Sequence, residues 1–358
     1  MKNSIVFFLS CYLLFACTDP VNLSAVKKEI MNGGGSGGIG EVGEYVWTRL
    51  PDQDLGEFDY YHQNFPFIVD GSTYCLAGYM EYLPFKLNSR TKRWESFDSD
   101  FDFHNLSERY LFSYGSKIYY NYYDAVGGEL LGYVGAYDMN TSIEQQRASL
   151  PIGPYPPQEY ISFVIGNKGY LIGGRRKDTN IPLNQIWEYD FGLDQWTNKG
   201  TMPGGSRIGG VGFVVGNKLY FGLGYSLMTM NGQTIKRYRK DWLSFDPTSG
   251  TYASSLPDFP GTVQDAIRGF YINDKLYIGY NYCDDNDAGC NVLWEYTIAS
   301  GKWLKKSIPQ HDYEANFFSI GNVGYMVVGA IDEFWRYSTS SMIPASNVIK
   351  DPVSAASN

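Results

Sequence analysis

The chain has 358 residues and a formal net charge of −9, with 19% charged residues, 17% aromatic residues, 31 Tyr and 40 Gly. An acidic chain lacks the Lys/Arg surplus that phosphate neutralisation requires, which argues against nucleic acid as a main partner. Abundant Tyr and Gly with few charges indicate an all-β protein, since aromatics suit pleated strands and glycines suit the turns between them; the length suffices for one large domain.

The chain opens with Lys2, an apolar run over residues 5–15, and Leu14-Phe15-Ala16-Cys17. The run is too short to span a bilayer and reads as a signal peptide over residues 1–16. Its ending resembles the lipobox of bacterial lipoproteins. That resemblance implies lipidation of Cys17 and a lipid-anchored place in the bacterial cell envelope, at the outer membrane. Residues 17–43 are polar and Gly-rich. They read as a flexible tether with an r.m.s. reach of about 28 Å.

From residue 44 to 338 a unit repeats. Its first mark is a tight hairpin: Asp70-Gly-Ser-Thr-Tyr74, Tyr114-Gly-Ser-Lys-Ile-Tyr119, Gly166-Asn-Lys-Gly-Tyr170, Gly216-Asn-Lys-Leu-Tyr220, Asn273-Asp-Lys-Leu-Tyr277 and Gly321-Asn-Val-Gly-Tyr325. The hairpin tyrosines are spaced by 45, 51, 50, 57 and 48 residues. Gly-Asn or Asn-Asp between two β-prone runs is a hairpin signal. A second mark follows at Phe85, Tyr137, Trp187-Glu-Tyr189, Phe245, Trp294-Glu-Tyr296 and Trp335-Arg-Tyr337. In three units another aromatic lies seven residues on, pairing Tyr189 with Trp196, Phe245 with Tyr252 and Tyr296 with Trp303; Pro203, Pro257 and Pro309 then end the unit. Each unit thus supplies four strands, a to d. The last unit lacks a d strand, because residues 339–358 form a polar tail, while Tyr45-Val-Trp-Thr-Arg-Leu-Pro51 looks like an orphan one. Pairing the two closes a ring and removes its open edges.

Period, hairpin and d-strand Trp together resemble the kelch repeat. Only Gly173-Gly174 keeps the double glycine of that family; a neighbouring unit reads Gly222-Leu-Gly224. The resemblance implies a six-bladed kelch-type β-propeller of four-stranded antiparallel blades, its last blade closed by the N-terminal strand.

In such a meander the b–c and d–a connections share one face, where binding residues concentrate. Counting back eleven residues from each hairpin Tyr gives Gln63, Glu108, Glu159, Gly209, Ala266 and Glu314, an expected polar rim with Arg207 and Arg268 close by. The third to fifth units contribute Arg175, Arg176, Lys177, Lys236, Arg237, Arg239 and Lys240, a basic sector that suits an anionic sugar. His62, His104 and His311 fall in d–a connections but not at a local ligand spacing, so no metal and no cofactor is expected. Cys283 and Cys290 bracket a turn and, in an exported chain, are expected to form a disulfide. The enclosed Asp284-Asp-Asn-Asp run resembles a calcium loop only in part, because Ala288 breaks it and Glu295 falls on an expected strand. Cys75 reads as a buried thiol. The expected ligand residues are therefore Glu108, Glu159, Glu314, Arg175, Arg176, Arg207, Arg268 and His62, with Tyr60, Tyr61, Phe103, Tyr155 and Tyr313 as exposed rings for sugar stacking. The leading expectation is a binding module for a glycan or protein ligand. The alternative, implied by the kelch resemblance, is a carbohydrate-active enzyme such as a sialic acid mutarotase or epimerase. The copper site of galactose oxidase requires a Tyr–Cys crosslink that Cys75, on an inner strand, does not suit.

Overall fold

A computed structural model describes residues 14–15, 45–50, 63–78, 83–103, 106, 110–126, 129–153, 157–253, 256–265, 267–280, 292–309, 315–329 and 333–339. Six four-stranded antiparallel sheets stand in a ring. Blade 1 runs Gln63–Val69, Ser72–Gly78, Leu83–Leu87 and Trp94–Ser96. Blade 2 runs Tyr110–Tyr114, Lys117–Val126, Glu129–Asp138 and Ile143–Arg147. Blade 3 is Ile161–Ile165, Lys168–Ile172, Gln185–Asp190 and Gln195–Thr201. Blade 4 is Val211–Val215, Lys218–Gly222, Trp242–Asp246 and Thr251–Tyr252. Blade 5 is Ile267–Ile272, Lys275–Tyr280, Val292–Thr297 and Lys302–Ser307. The innermost strands neighbour one another around the whole circle, Ala315–Ile320 of blade 6 lying beside Gln63–Val69 of blade 1. Leu14–Phe15, within the expected leader, runs parallel beside Ile161 and Ser162.

Blade 6 is the shared one. Ala315–Ile320, Val323–Val328 and Glu333–Thr339 are completed by Tyr45–Arg49 from the other end of the chain. Trp47 faces Tyr337 in register, with ring centroids 4.9 Å apart at 40°. The same cross-strand pair recurs as Tyr189–Trp196 at 4.8 Å, Phe245–Tyr252 at 4.9 Å and Tyr296–Trp303 at 4.8 Å. Directly opposed aromatics are the sheet's strongest local side-chain pairs. Trp47 therefore does for blade 6 what Trp303 does for blade 5.

Between blades, one packing rule repeats. An aromatic of the inner strand of each of blades 2 to 5 lies where the next blade has a glycine: Phe112 over Gly169, Phe163 over Gly212, Phe213 over Gly269 and Phe270 over Gly324. A Cβ at any of these glycines would overlap the ring. In blade 1 the seat is made of Cys75 and Ala77 beneath Phe318. Cys75 is fully buried there, and burial pushes its thiol up to about 12. The a–b hairpins divide by turn chemistry. Asn273 and Asp274 are both left-handed (φ 48° and 60°), whereas Gly115, Gly166, Gly216 and Gly321 supply a single positive φ at the first position. Two-residue loops of the primed turn types match the twist of the strands they join.

Candidate functional site

The d–a and b–c connections of blades 3 and 4, with the described residues leading into blade 5, are where the described face is most elaborate. Residues Pro157–Gln158, at the entry to blade 3, pair with Arg175–Arg176 of that blade's b–c loop. From blade 4 rises a separate hairpin, Tyr225–Met230 with Gln233–Tyr238, turned by Asn231 and Gly232 at φ 52° and 77°. Asn-Gly is the preferred pair for this turn because both residues tolerate positive φ. The hairpin is rooted by reciprocal backbone hydrogen bonds of 2.8 and 2.9 Å between Ile208 and Tyr225. The degenerate Leu223-Gly224 takes φ values of 63° and 70°, close to the 63° and 85° of Gly173-Gly174. The loop path outlives the loss of the first glycine because surrounding contacts hold Leu223, fully buried, in the left-handed region.

These loops assemble one polar network. Glu159 sits at φ 55°, and its repeat partner Gly209 at φ 63° donates its N–H to the Glu159 carbonyl at 2.8 Å. The position eleven residues before the hairpin Tyr is therefore structurally equivalent in these two blades. The Glu159 carboxylate is buried. Arg175 Nε donates to its Oε1 at 2.7 Å, and the Tyr225 hydroxyl donates to its Oε2 at 3.0 Å. Burial, then the charge of Glu159, raises the Tyr225 phenol well above its ordinary range, which keeps it a donor. Arg175 Nη1 donates onward to Asn180 Oδ1 at 2.6 Å. Lys236 Nζ lies over the Tyr225 ring, 4.4 Å from its centroid, and is ion-paired with Asp265, which also accepts from the Tyr238 hydroxyl at 2.8 Å. Asn180, Arg175, Glu159, Tyr225, Lys236, Asp265 and Tyr238 thus form a chain across four separate loop segments.

A second cluster lies at the hairpin's base. Asp241 accepts from Arg207 at 2.6 Å and from Arg239 at 2.9 and 3.0 Å. Arg207 is 1% exposed and also donates to the Leu223 carbonyl. Burial lowers its guanidinium to about 10 against the opposing pull of Asp241. Burial alone would raise the Asp241 carboxyl, but the hydrogen bonds of Arg239 and the charges of both arginines hold it below its usual range.

The structure rearranges the expected rim. Arg207 and Arg268 do not stand at an open channel mouth. Both are buried, Arg268 donating to Asn316 Oδ1 at 3.0 Å and to the Ile267 carbonyl at 3.1 Å. The entry to an inner strand packs between blades, so a long cation there must find acceptors inside. Of the expected ligand residues, Glu159 and Arg175 are brought together. Arg176 is turned to Asp178 at 2.7 Å, and its hydrogen bonds lower the Asp178 carboxyl. Phe103, expected as an exposed stacking ring, is buried against Phe101 at 4.9 Å. Glu295 lies in a strand and binds Lys275 at 2.5 Å and the Tyr277 hydroxyl at 3.1 Å, which removes it from any calcium loop. Glu108, Glu314, His62, His104, His311, Cys17, Cys283 and Cys290 lie outside the described residues, as do Tyr60, Tyr61, Tyr155 and Tyr313. Among the described residues no cluster of His, Cys, Asp and Glu could hold a metal ion.

Reading single residues missed Tyr225, Tyr238, Asp265, Asn180 and Asp241. The usable signal was the length of the insertion between strands b and c of blade 4, whose Met230-Asn-Gly232 turn marks a hairpin rising off the scaffold.

Residues 162–203, which lie within blade 3 and the loop after it, match the kelch motif. A stretch of 212 residues is 23% identical to the N-(sulfonatooxy)prop-2-enimidothioate sulfolyase of Thlaspi arvense, covering 56% of this chain and 56% of the relative. The chain thus spans little more than half the length of the relative it matches. The solved structure of YjhT superposes with a TM-score of 0.54 at 13% identity, over 80% of this chain and 95% of that one. The closed ring of six blades makes the chain a six-bladed β-propeller, and its third blade carries a kelch motif.

Proposed function

We propose that this propeller is a binding module that holds a glycan on the b–c/d–a loop face of blades 3 to 5. The observation that carries the reading is the Glu159–Arg175–Tyr225–Lys236–Asp265–Tyr238 network. It sets donors and acceptors side by side on a rigid scaffold, with Tyr238 43% exposed beside them as a ring on which a sugar can stack. Lipidation at Cys17 would hold this face at a bacterial envelope surface, and the intact mass of the mature protein tests that part.

A glycan array probed with the purified protein is the direct test. Capture of glycans that is lost in Arg175→Ala and Tyr238→Ala supports the reading, and an empty array overturns it. An enzymatic role is the second reading, favoured by the partial likeness to a sulfolyase. Both carboxylate oxygens of Glu159 are already accepting hydrogen bonds, which suits holding a surface together more than moving a proton. Anomer exchange of sialic acid followed by NMR, accelerated by the protein and abolished in Glu159→Gln, would reverse that preference.

A further inference from the structure

We infer that the ligand of this face is an uncharged, hydroxyl-rich sugar rather than an acidic one. The inference rests on the glycan-binding reading above and names the class of glycan. Counted along the sequence, the third to fifth units are a basic sector. In three dimensions five of its cations, Arg175, Arg176, Arg207, Lys236 and Arg239, are matched by carboxylates at close range. Arg175 is held by Glu159 at 2.7 Å, Arg176 by Asp178 at 2.7 Å, and Lys236 by Asp265. Arg239 is engaged by Asp241 at 2.9 Å and by the Gly204 carbonyl at 2.6 Å, and Arg207 is buried beneath it. Arg237 and Lys240 are exposed, but cross-strand pairing of Arg237 with Ser226, one residue out of phase with Tyr225, puts Arg237 on the opposite face of the hairpin from Tyr225, Lys236 and Tyr238.

A carboxylate or sulfate approaching this network would compete with Glu159 and Asp265 for their own partners. It would also enter the field of a molecule of net charge −9. A sugar hydroxyl meets neither obstacle. Each hydroxyl both donates and accepts, so a vicinal pair can give a hydrogen to a carboxylate oxygen and accept one from the neighbouring guanidinium or ammonium. The paired groups are partly open to such a ligand, with side-chain exposure of 31% for Arg175 and 39% for Lys236.

The experiment uses the full chain on an array printing glucose-, galactose- and mannose-terminated neutral oligosaccharides beside galacturonate-, sialate- and sulfate-terminated ones. The strongest neutral hit is then titrated calorimetrically at low and high salt. The expected result is capture of neutral glycans, with an affinity that salt leaves nearly unchanged because no net charge is neutralised. Asp265→Asn and Tyr238→Ala, both at the edge of the network, should each weaken that affinity by about ten-fold. Capture confined to acidic glycans, weakened by salt, would overturn this inference while leaving the glycan-binding reading standing. Capture of neutral glycans that neither variant weakens would place the neutral ligand elsewhere and overturn it too. An array with no glycan captured would overturn both.

Discussion

At the scale of single residues, the molecule uses charge as internal structure. Asp241 is the clearest case, a carboxylate between the fully buried Arg207 and the partly exposed Arg239. Removing one partner of a buried pair leaves the other charge uncompensated. The Asp241 side chain is 33% exposed and partly screened, so Asp241→Asn should lose about 2 kcal/mol of stability at neutral pH, read from urea midpoints. The pH dependence follows from the lowered carboxyl. A carboxylate whose pKa is depressed by folding stabilises above its unfolded value, near 3.9, and loses that stabilisation as pH falls through the folded value. The gap between wild type and variant should accordingly narrow in acid, and a constant gap would contradict the pairing. At this scale the sequence was only partly legible. Repeat counting located Glu159, since the eleven-residue offset is a local property of the unit. Its partners Arg175 and Tyr225 lie 16 and 66 residues away, and nothing in their own surroundings pairs them with it.

At the scale of elements, stability rests on aromatic rings seated on missing side chains. Phe163 occupies the space a Cβ of Gly212 would need, and the Cβ of Phe221 would lie only 2.9 Å away. Gly212→Ala has no void to fill. Overpacking of this kind costs about 1–3 kcal/mol, and it should appear as a lowered thermal midpoint with the β-sheet circular dichroism of the folded state retained. The pairs within blades were readable beforehand: a seven-residue separation across a tight c–d turn brings Tyr189 opposite Trp196 and Tyr296 opposite Trp303. The seats between blades were not, because Phe163 and Gly212 are 49 positions apart and their contact depends on how far each blade rotates from the last.

At the scale of the whole molecule, the ring is held shut by one strand. Tyr45–Arg49 supplies the outer edge of blade 6, and Trp47 joins a buried cluster with Phe270, Tyr277 and Phe317 from blades 5 and 6. Losing a buried Trp alone costs about 3–5 kcal/mol against a total stability of about 5–15 kcal/mol. A variant lacking Tyr45–Arg49 should thus melt at a much lower temperature and associate through its newly open edge, observable by circular dichroism and light scattering. An unchanged melting profile would mean that blade 6 is complete without the strand.

The sequence by itself determined the six-fold unit, its hairpins and the pairing of its ends, because these depend on local turn chemistry, on a recurring spacing of aromatics, and on an orphan strand at one end matched by a missing one at the other. It also placed the b–c and d–a loops on one face, since alternation along a meander decides that without coordinates. Only the tertiary structure decided what those loops present. Arg175 meets Glu159 from 16 residues away and Lys236 meets Asp265 from 29, because the closed ring sets the loops of neighbouring blades side by side. A sector that reads as cationic in one dimension has, in three, most of its arginines held by carboxylates.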